Sequence, residues 1–193
     1  ILVQLPLPDQ VRKAAVLQGI DPGKDVDAFH AETLGHALIG DETLAPCTPQ
    51  GVLWLLDEAG VKLPGAEVRF INHSNLIGKP LAALLINRDA TVTVCHKHTR
   101  DLKAHTRRAD VVVTATGVPG LITADHLREG AVVVDVGIAR VEGKVRGDCD
   151  DSVWGKAAWV TPVPGGVGPM TVAVLLHNTV RAFRRQVDGT PSA

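Results

Sequence analysis

There is no tyrosine among the 193 residues, so no site that this chain builds alone contains a phenol. Cysteine is scarce and odd in number. Cys47, Cys95 and Cys149 stand far apart with unrelated gaps. That spacing argues against a disulfide framework or a zinc site and predicts a reducing compartment, the cytoplasm. An excess of one charge is also missing. The 20 Lys and Arg against 21 Asp and Glu leave a net charge of -1, which gives no case for a general nucleic-acid binder. No apolar run reaches the roughly 18 residues that a spanning helix needs, so no membrane segment is expected. No metal site is expected either. His96 and His98 share a face of an extended segment, but no third ligand is evident nearby.

What remains is an ordinary globular balance, 45% hydrophobic and 21% charged, with length for one typical domain or two small ones. The chain opens on ILVQLPLP, an apolar strand-like run with no lead-in, which predicts that it begins inside a longer polypeptide. DQVRKAAVL (9–17) reads as a short helix with Asp9 as N-cap. PGKDVDAFH reads as a polar loop. A clear helix follows, with Thr48 as N-cap, Pro49 at the first helical position and Gly60 as its stop.

From there the pattern alternates. VRFI (68–71) reads as strand, IGKPLAALLINR (77–88) as helix and TVTVCH (91–96) as strand. RDLKAHTRR (100–108) reads as helix, and DVVVTAT (110–116) and AVVVDVG (131–137) as strands. These strands are continuous Val-rich runs, the mark of a parallel sheet buried on both faces. Met170 to Arg185 reads as a closing helix and QVDGTPSA as a frayed end. The fold class is therefore α/β, with a Rossmann-like, mostly parallel sheet.

Between the first strand and its helix lies INHSNLIGKP (71–80). Dinucleotide-binding turns sit in such places, with helix amides facing the pyrophosphate. They usually carry three glycines, and here Asn72, Ser74 and Gly78 occupy the aligned positions. Asn72 tolerates positive φ and can make the turn. Ser74 is small and can donate a hydrogen bond. Gly78 keeps helix and strand close. Alone, the stretch is equally compatible with an ordinary loop. The second strand ends in His96, Lys97, His98, Thr99 and Arg100, with no acid where NAD-preferring sites place one. A basic cluster suits a 2′-phosphate, and a solvated capping loop explains it equally well.

TPVPGGVGPMT (161–171) packs three prolines and three glycines into eleven residues, too many for regular structure. Glycine lets a backbone approach a flat ligand and proline stiffens the loop, so ligand contact is favoured over a linker.

KDVDAFH (24–30), PCTPQGV (46–52), SNLIGKP (74–80), TVTVCHKHT (91–99), DVGI (135–138) and TPVPGGVGPMT together resemble the bifunctional methylenetetrahydrofolate dehydrogenase/cyclohydrolase family. The match runs in order from Ile1 to about Phe183. The resemblance implies a two-domain enzyme, usually a homodimer, with a cleft between domains. Residues 47–163 would form the Rossmann-like dinucleotide domain. Residues 1–46 and 164–187 would be an incomplete remnant of a smaller α/β catalytic domain that binds folate. The reactions implied are oxidation of 5,10-methylenetetrahydrofolate with NADP, then hydrolysis of the methenyl product to 10-formyltetrahydrofolate.

Residue by residue, Gln4 matches the glutamine that hydrogen-bonds the family's catalytic lysine, and Asp27 the aspartate that holds the pterin. A carboxylate there can accept paired N–H bonds. Pro162, Gly165 and Gly166 match the loop beside folate and nicotinamide. Asn72, His73, Ser74 and Ile77 match the cofactor turn, with His96 and Lys97 at the next strand. Thr116, Gly117 and Ile138 match residues lining the nicotinamide side. His73 stands where the family often has the arginine that meets the 2′-phosphate, and Lys97 where a serine is common. A cation remains available, so NADP is expected rather than NAD. Ala28 replaces the glycine after the key aspartate. The family's catalytic lysine and stacking tyrosine lie N-terminal to ILVQLPLP, and Lys13 and Lys24 do not match that lysine by motif. As given, the chain is expected to be impaired in both activities. The alternative is a dinucleotide-binding pseudoenzyme or fragment.

Overall fold

Two valine runs, 111–113 and 133–134, are fully buried at the centre of the molecule. The computed structural model describes residues 1–188 and contains, in chain order, α1 (Lys13–Gln18), α2 (Ala31–Leu38), α3 (Cys47–Glu58), β1 (Glu67–Ile71), α4 (Gly78–Ile86), β2 (Thr91–Cys95), α5 (Leu102–Thr106), β3 (Val111–Thr114), β4 (Val132–Asp135), β5 (Ala139–Val141), β6 (Lys144–Arg146), β7 (Trp159–Val160) and α6 (Val167–Asp188). Five strands pair in parallel in the order β2-β1-β3-β4-β7, and β5 and β6 form a separate antiparallel hairpin.

Successive strand residues face opposite sides of a sheet. Val111, Val112 and Val113 are nevertheless all fully buried, so β3 is covered on both faces. One face, with Val68, Phe70, Val111, Val113 and Val134, packs under Val52, Leu53 and Leu56 of α3 and Leu81, Leu84 and Leu85 of α4. The other, with Ile71, Cys95, Val112 and Val133, packs under Ile122, Leu127 and Val153 of the long connections. Burial on both faces does not extend to β2. It is an edge strand, and only Cys95 of its five residues is buried.

Four expectations shift. ILVQLPLP forms no strand. A strand needs a ladder partner, none of the described residues pairs with it, and Pro6 and Pro8 have no N–H to offer. The first helix begins at Lys13 after Arg12 and has no side-chain cap, so Asp9 does not cap it. α3 begins one residue before Thr48, with Pro46 as N-cap and Pro49 third in the helix. Proline is tolerated through the first turn because those N–H groups have no intrahelical partner. The same reason lets α6 start at Val167, so the second half of the proline–glycine run is helical, with Pro169 in its first turn. Gln186 to Asp188 continue α6, and the remainder of the expected frayed end lies outside the described residues. α2, the β5–β6 hairpin and β7 are additions to the expected elements.

Residues 1–46 contribute helices and turns, and a buried amide of α6 helps to hold them against it. Buried Asn178 donates from Nδ2 to Val26 O at 3.0 Å and to Ala45 O at 2.9 Å. α6 in turn lies close on α3. A Cβ added to Gly51 would be 3.3 Å from Met170 Cβ. Across that contact the Thr48 and Thr171 hydroxyls are 3.1 Å apart.

Candidate functional site

In a doubly wound sheet, ligands bind at the carboxyl ends of the strands where the winding direction reverses. The chain passes from β1 outward to β2 and then back to β3 on the other side of β1, so the reversal lies between β1 and β3. Asn72 and Thr116 follow the ends of those two strands.

The Asn72 turn is made by a side chain. Asn72 does not adopt the left-handed backbone expected of it. The non-glycine residues that do are Ala28, Asp89, Asp101 and Glu142. Instead Asn72 Oδ1 accepts from the Ser74 amide at 2.6 Å, and Nδ2 donates to Ala115 O at 2.6 Å. One side chain thus folds the turn and binds it to the end of β3. Ser74 Oγ then accepts from the Ile77 amide at 3.2 Å, which leaves its hydroxyl proton free to donate. Gly78 opens α4 against this turn, and an added Cβ would lie 2.6 Å from Asn72 O and 2.7 Å from His73 Cα. The helix start therefore sits as close to the strand end as a backbone can come.

On the other side of the reversal, two buried acids fix the loops. Asp148 Oδ2 accepts from Thr114 Oγ1 at 2.7 Å and from the Thr116 amide at 2.6 Å, and Oδ1 accepts from the Val118 amide at 3.0 Å. Gly117, between them, has φ +71°. Asp135, the last residue of β4, accepts from the amides of Gly137 (2.9 Å), Asp148 (3.1 Å) and Cys149 (2.8 Å). Burial pushes the Asp135 carboxyl above the usual carboxylate range, and the three amides hold it back only in part. Each acid fills the space left by a glycine beside its partner. A Cβ on Gly137 would overlap the Asp148 carboxylate, and one on Gly147 would overlap that of Asp135. The β5–β6 hairpin is closed onto the sheet by this reciprocal pairing.

Beside these loops is a mainly apolar cavity of about 420 Å³. Its lining includes Ile77, Val136, Ile138 and Val145, the loop Pro162 to Gly166, and Thr48 and Thr171. Ile138 is 65% exposed and presents an apolar surface to it. The Thr161 hydroxyl accepts from the Asp135 amide at 2.7 Å and anchors the loop. Gly165 has φ +105°, and a Cβ on Gly166 would be 2.5 Å from Pro162 O, so the loop doubles back on itself.

The structure brings Ile77, Ile138, Pro162, Gly165 and Gly166 to one cavity, with Asn72, Ser74, Thr116 and Gly117 at the adjoining strand ends. His73, His96 and Lys97 gather at the outer end of the turn, where the His73 and His96 ring centroids are 5.0 Å apart. Asp27 lies on a neighbouring loop. Within KDVDA, buried Asp25 does the structural work, accepting from the amides of Ala28 (3.1 Å) and His30 (2.7 Å). That frees Asp27, which is half-buried. Burial raises its carboxyl above the usual range, opposed by the Cys47 thiol beside it. Cys47 adjoins Thr48, which lines the cavity. Gln4 is not brought in. It is exposed, and its amide reaches Leu5 O at 3.5 Å.

Asp135, Asp148 and Thr161 are the functional-site residues that the sequence reading did not single out. An acid ending an all-valine strand was a signal for Asp135. Asp148 carries no such mark, because its role depends on a loop that returns from the hairpin.

A parallel sheet with a side-chain-locked turn, a helix start in backbone contact with it and an apolar cleft at the reversal defines a dinucleotide-binding α/β domain. The comparisons agree. Residues 46–187 match the tetrahydrofolate dehydrogenase/cyclohydrolase NAD(P)-binding domain family. The bifunctional protein FolD of Nitratiruptor sp. is 51% identical over 187 residues, covering 96% of this chain and 66% of that protein. That of Bacillus subtilis is 49% identical, covering 97% and 67%. The crystal structure of the bifunctional FolD methylenetetrahydrofolate dehydrogenase/cyclohydrolase from Campylobacter jejuni superposes with a TM-score of 0.91 at 45% identity, over 95% of this chain and 66% of that one. The Trypanosoma brucei enzyme, solved with NADP cofactor and an inhibitor, gives 0.90 at 42%, over 96% and 67%. The chain belongs to the tetrahydrofolate dehydrogenase/cyclohydrolase family, and it spans about two thirds of the length of these relatives.

Proposed function

We propose that this chain is the dinucleotide-binding part, with a portion of the folate-binding part, of an enzyme that oxidises 5,10-methylenetetrahydrofolate with NADP and hydrolyses the methenyl product. The supporting observation is the Thr161–Gly166 loop, pinned to the end of β4 and facing Ile138 across an apolar cleft. That cleft suits two stacked flat rings. When bound, the nicotinamide supplies the acceptor for the hydride leaving the methylene carbon. In the second reaction, water oxygen bonds to that carbon, its bond to N5 breaks, and a proton is released.

The chain's own residues bind and orient. Asn72, Ser74 and Ile77 shape the phosphate turn, where the absent side chain of Gly78 admits a close backbone approach. Thr116 and Gly117, held by Asp148, border the nicotinamide side. Pro162, Gly165 and Gly166 position the two rings, which is most of what hydride transfer requires. Asp27 accepts the pterin's N–H groups, and Gln4 takes its family role only when the catalytic lysine is in place. Residues 47–163 are the dinucleotide domain, and 1–46 with 164–187 belong to the folate domain. The complete protein is a cytoplasmic homodimer. Among the described residues the three cysteines are unpaired, which suits a reducing compartment, and no helix is long and apolar enough to cross a membrane.

A second interpretation, dinucleotide binding without turnover, is favoured by the exposed Gln4. Two measurements decide. Calorimetry should give saturable one-to-one NADP binding, and binding of neither NADP nor NAD would overturn the proposal. Full methylene-to-methenyl turnover by this chain would overturn the second interpretation.

A further inference from the structure

The outer end of the cofactor turn is built from imidazoles. The ring of His73, after β1, is 5.0 Å from that of His96, after β2. His96 is 6.0 Å from His98, edge to face. The loop between them is fixed. The His96 amide donates to Thr99 Oγ1 at 2.8 Å, and His96 Nδ1 accepts from the His98 amide at 3.2 Å. Nδ1 is thereby engaged as an acceptor, so neutral His96 carries its proton on Nε2. His73, Lys97 and His98 are exposed. The other charged groups on the adjoining elements are Arg100, Lys79 on α4, and Asp101, whose carboxylate accepts from the Ala104 amide. None of the three imidazoles forms an ion pair among the described residues.

We infer that this chain's preference for a 2′-phosphorylated over a plain dinucleotide is set by protonation of His73 and His98, the exposed imidazoles of the cluster around His96. The inference rests on the cofactor assignment above and adds its control. Histidine side chains titrate in the physiological range, at about pH 6.5 when unperturbed, whereas an arginine stays charged throughout. Neighbouring imidazolium groups repel one another, and a phosphate dianion among them relieves that repulsion. By linkage, binding the phosphate must then draw protons onto the cluster. The sign is distinctive. The phosphate monoester itself gains a proton at about pH 6, which weakens its binding in acid. A preference that strengthens on acidification therefore comes from the protein.

The test is calorimetric titration of the full chain with NADP and with NAD from pH 6.5 to 8.5, in buffers of different ionisation enthalpy. The expected NADP-to-NAD affinity ratio falls roughly tenfold across that range, as two or three exposed ion-pair contacts of a few-fold each are lost. Protons are taken up with NADP and not with NAD. His73→Arg flattens the pH dependence while keeping the preference, and His98→Asn reduces it. A ratio constant within about twofold, or a slope unchanged in both variants, would overturn the inference and leave the cofactor assignment intact. NAD bound as tightly as NADP at every pH would overturn both.

Discussion

Gly78 has a backbone outside the left-handed region and no room for a side chain, whereas Ala28 has a left-handed backbone, φ +58°, and room for one. Both stand in loops that carry candidate binding residues. Glycine is useful for two separable reasons, conformational freedom and absence of volume, and these loops divide them. At Gly78 only the missing volume matters, because the helix start rests on the backbone of Asn72 and His73. At Ala28 the unusual backbone is imposed by buried Asp25, which accepts from the amides of Ala28 and His30, and the methyl is fully buried near Val26, Leu44 and Ala182.

The largest effect is expected where volume is forbidden. Gly78→Ala places a methyl 2.6 to 2.8 Å from three backbone atoms of the turn. Neither the strand end nor the helix can yield without breaking the Asn72 bonds to Ser74 and Ala115. A loss of about 3 kcal/mol, at the upper end for overpacking, is expected in urea unfolding. NADP binding should be lost with it. A variant as stable as the parent that still bound NADP would show that the turn is pliable, and the contrast with Ala28 would collapse.

An intermediate effect tests the acids that fill glycine-made space on the far side of the cleft. Asp148→Asn keeps the shape beside Gly137 but turns one acceptor into a donor. Either the Val118 amide, or the Thr116 amide together with the Thr114 hydroxyl, then faces an N–H. Leaving such a buried donor unpaired costs about 1–3 kcal/mol. Thermal unfolding would register this, and NADP binding would weaken as the Thr116–Val118 loop loosens. No change in either would mean that the amides find other acceptors and that the hairpin, not the carboxylate, sets the loop.

Much of this was legible in the sequence, for physical reasons. The Val-rich runs named β1, β3 and β4, since strands buried on both faces lose their alternation. The order strand, turn, helix placed Asn72, Ser74 and Gly78 before any coordinates. ILVQLPLP misled because apolarity shows a wish to be covered and not what covers it. The start of α6 misled because proline and glycine break a helix interior but are harmless in its first turn. The tolerance of asparagine for positive φ points to a backbone role for Asn72, which its amide side chain performs instead. Asp148 could not be found, because its three hydrogen bonds reach back 30 to 34 residues.

The smallest effect is the most diagnostic. Relief of the left-handed strain at position 28 by Ala28→Gly should stabilise the fold by about 1–2 kcal/mol. Against it stand a lost buried methyl, about 0.8 kcal/mol, and the greater freedom of glycine in the unfolded chain, about 0.4–1 kcal/mol. The terms nearly cancel, so the expected change in unfolding free energy is within about 0.5 kcal/mol of zero. Glycine and this chain's alanine would then be two near-equal solutions to the turn beside Asp27. A stabilisation well above 1 kcal/mol would show that the methyl contributes little and that Ala28 is a strained residue held by Asp25 alone. Asp25→Asn should in that case straighten the loop, and Asp27 would lose its place beside the Cys47 thiol.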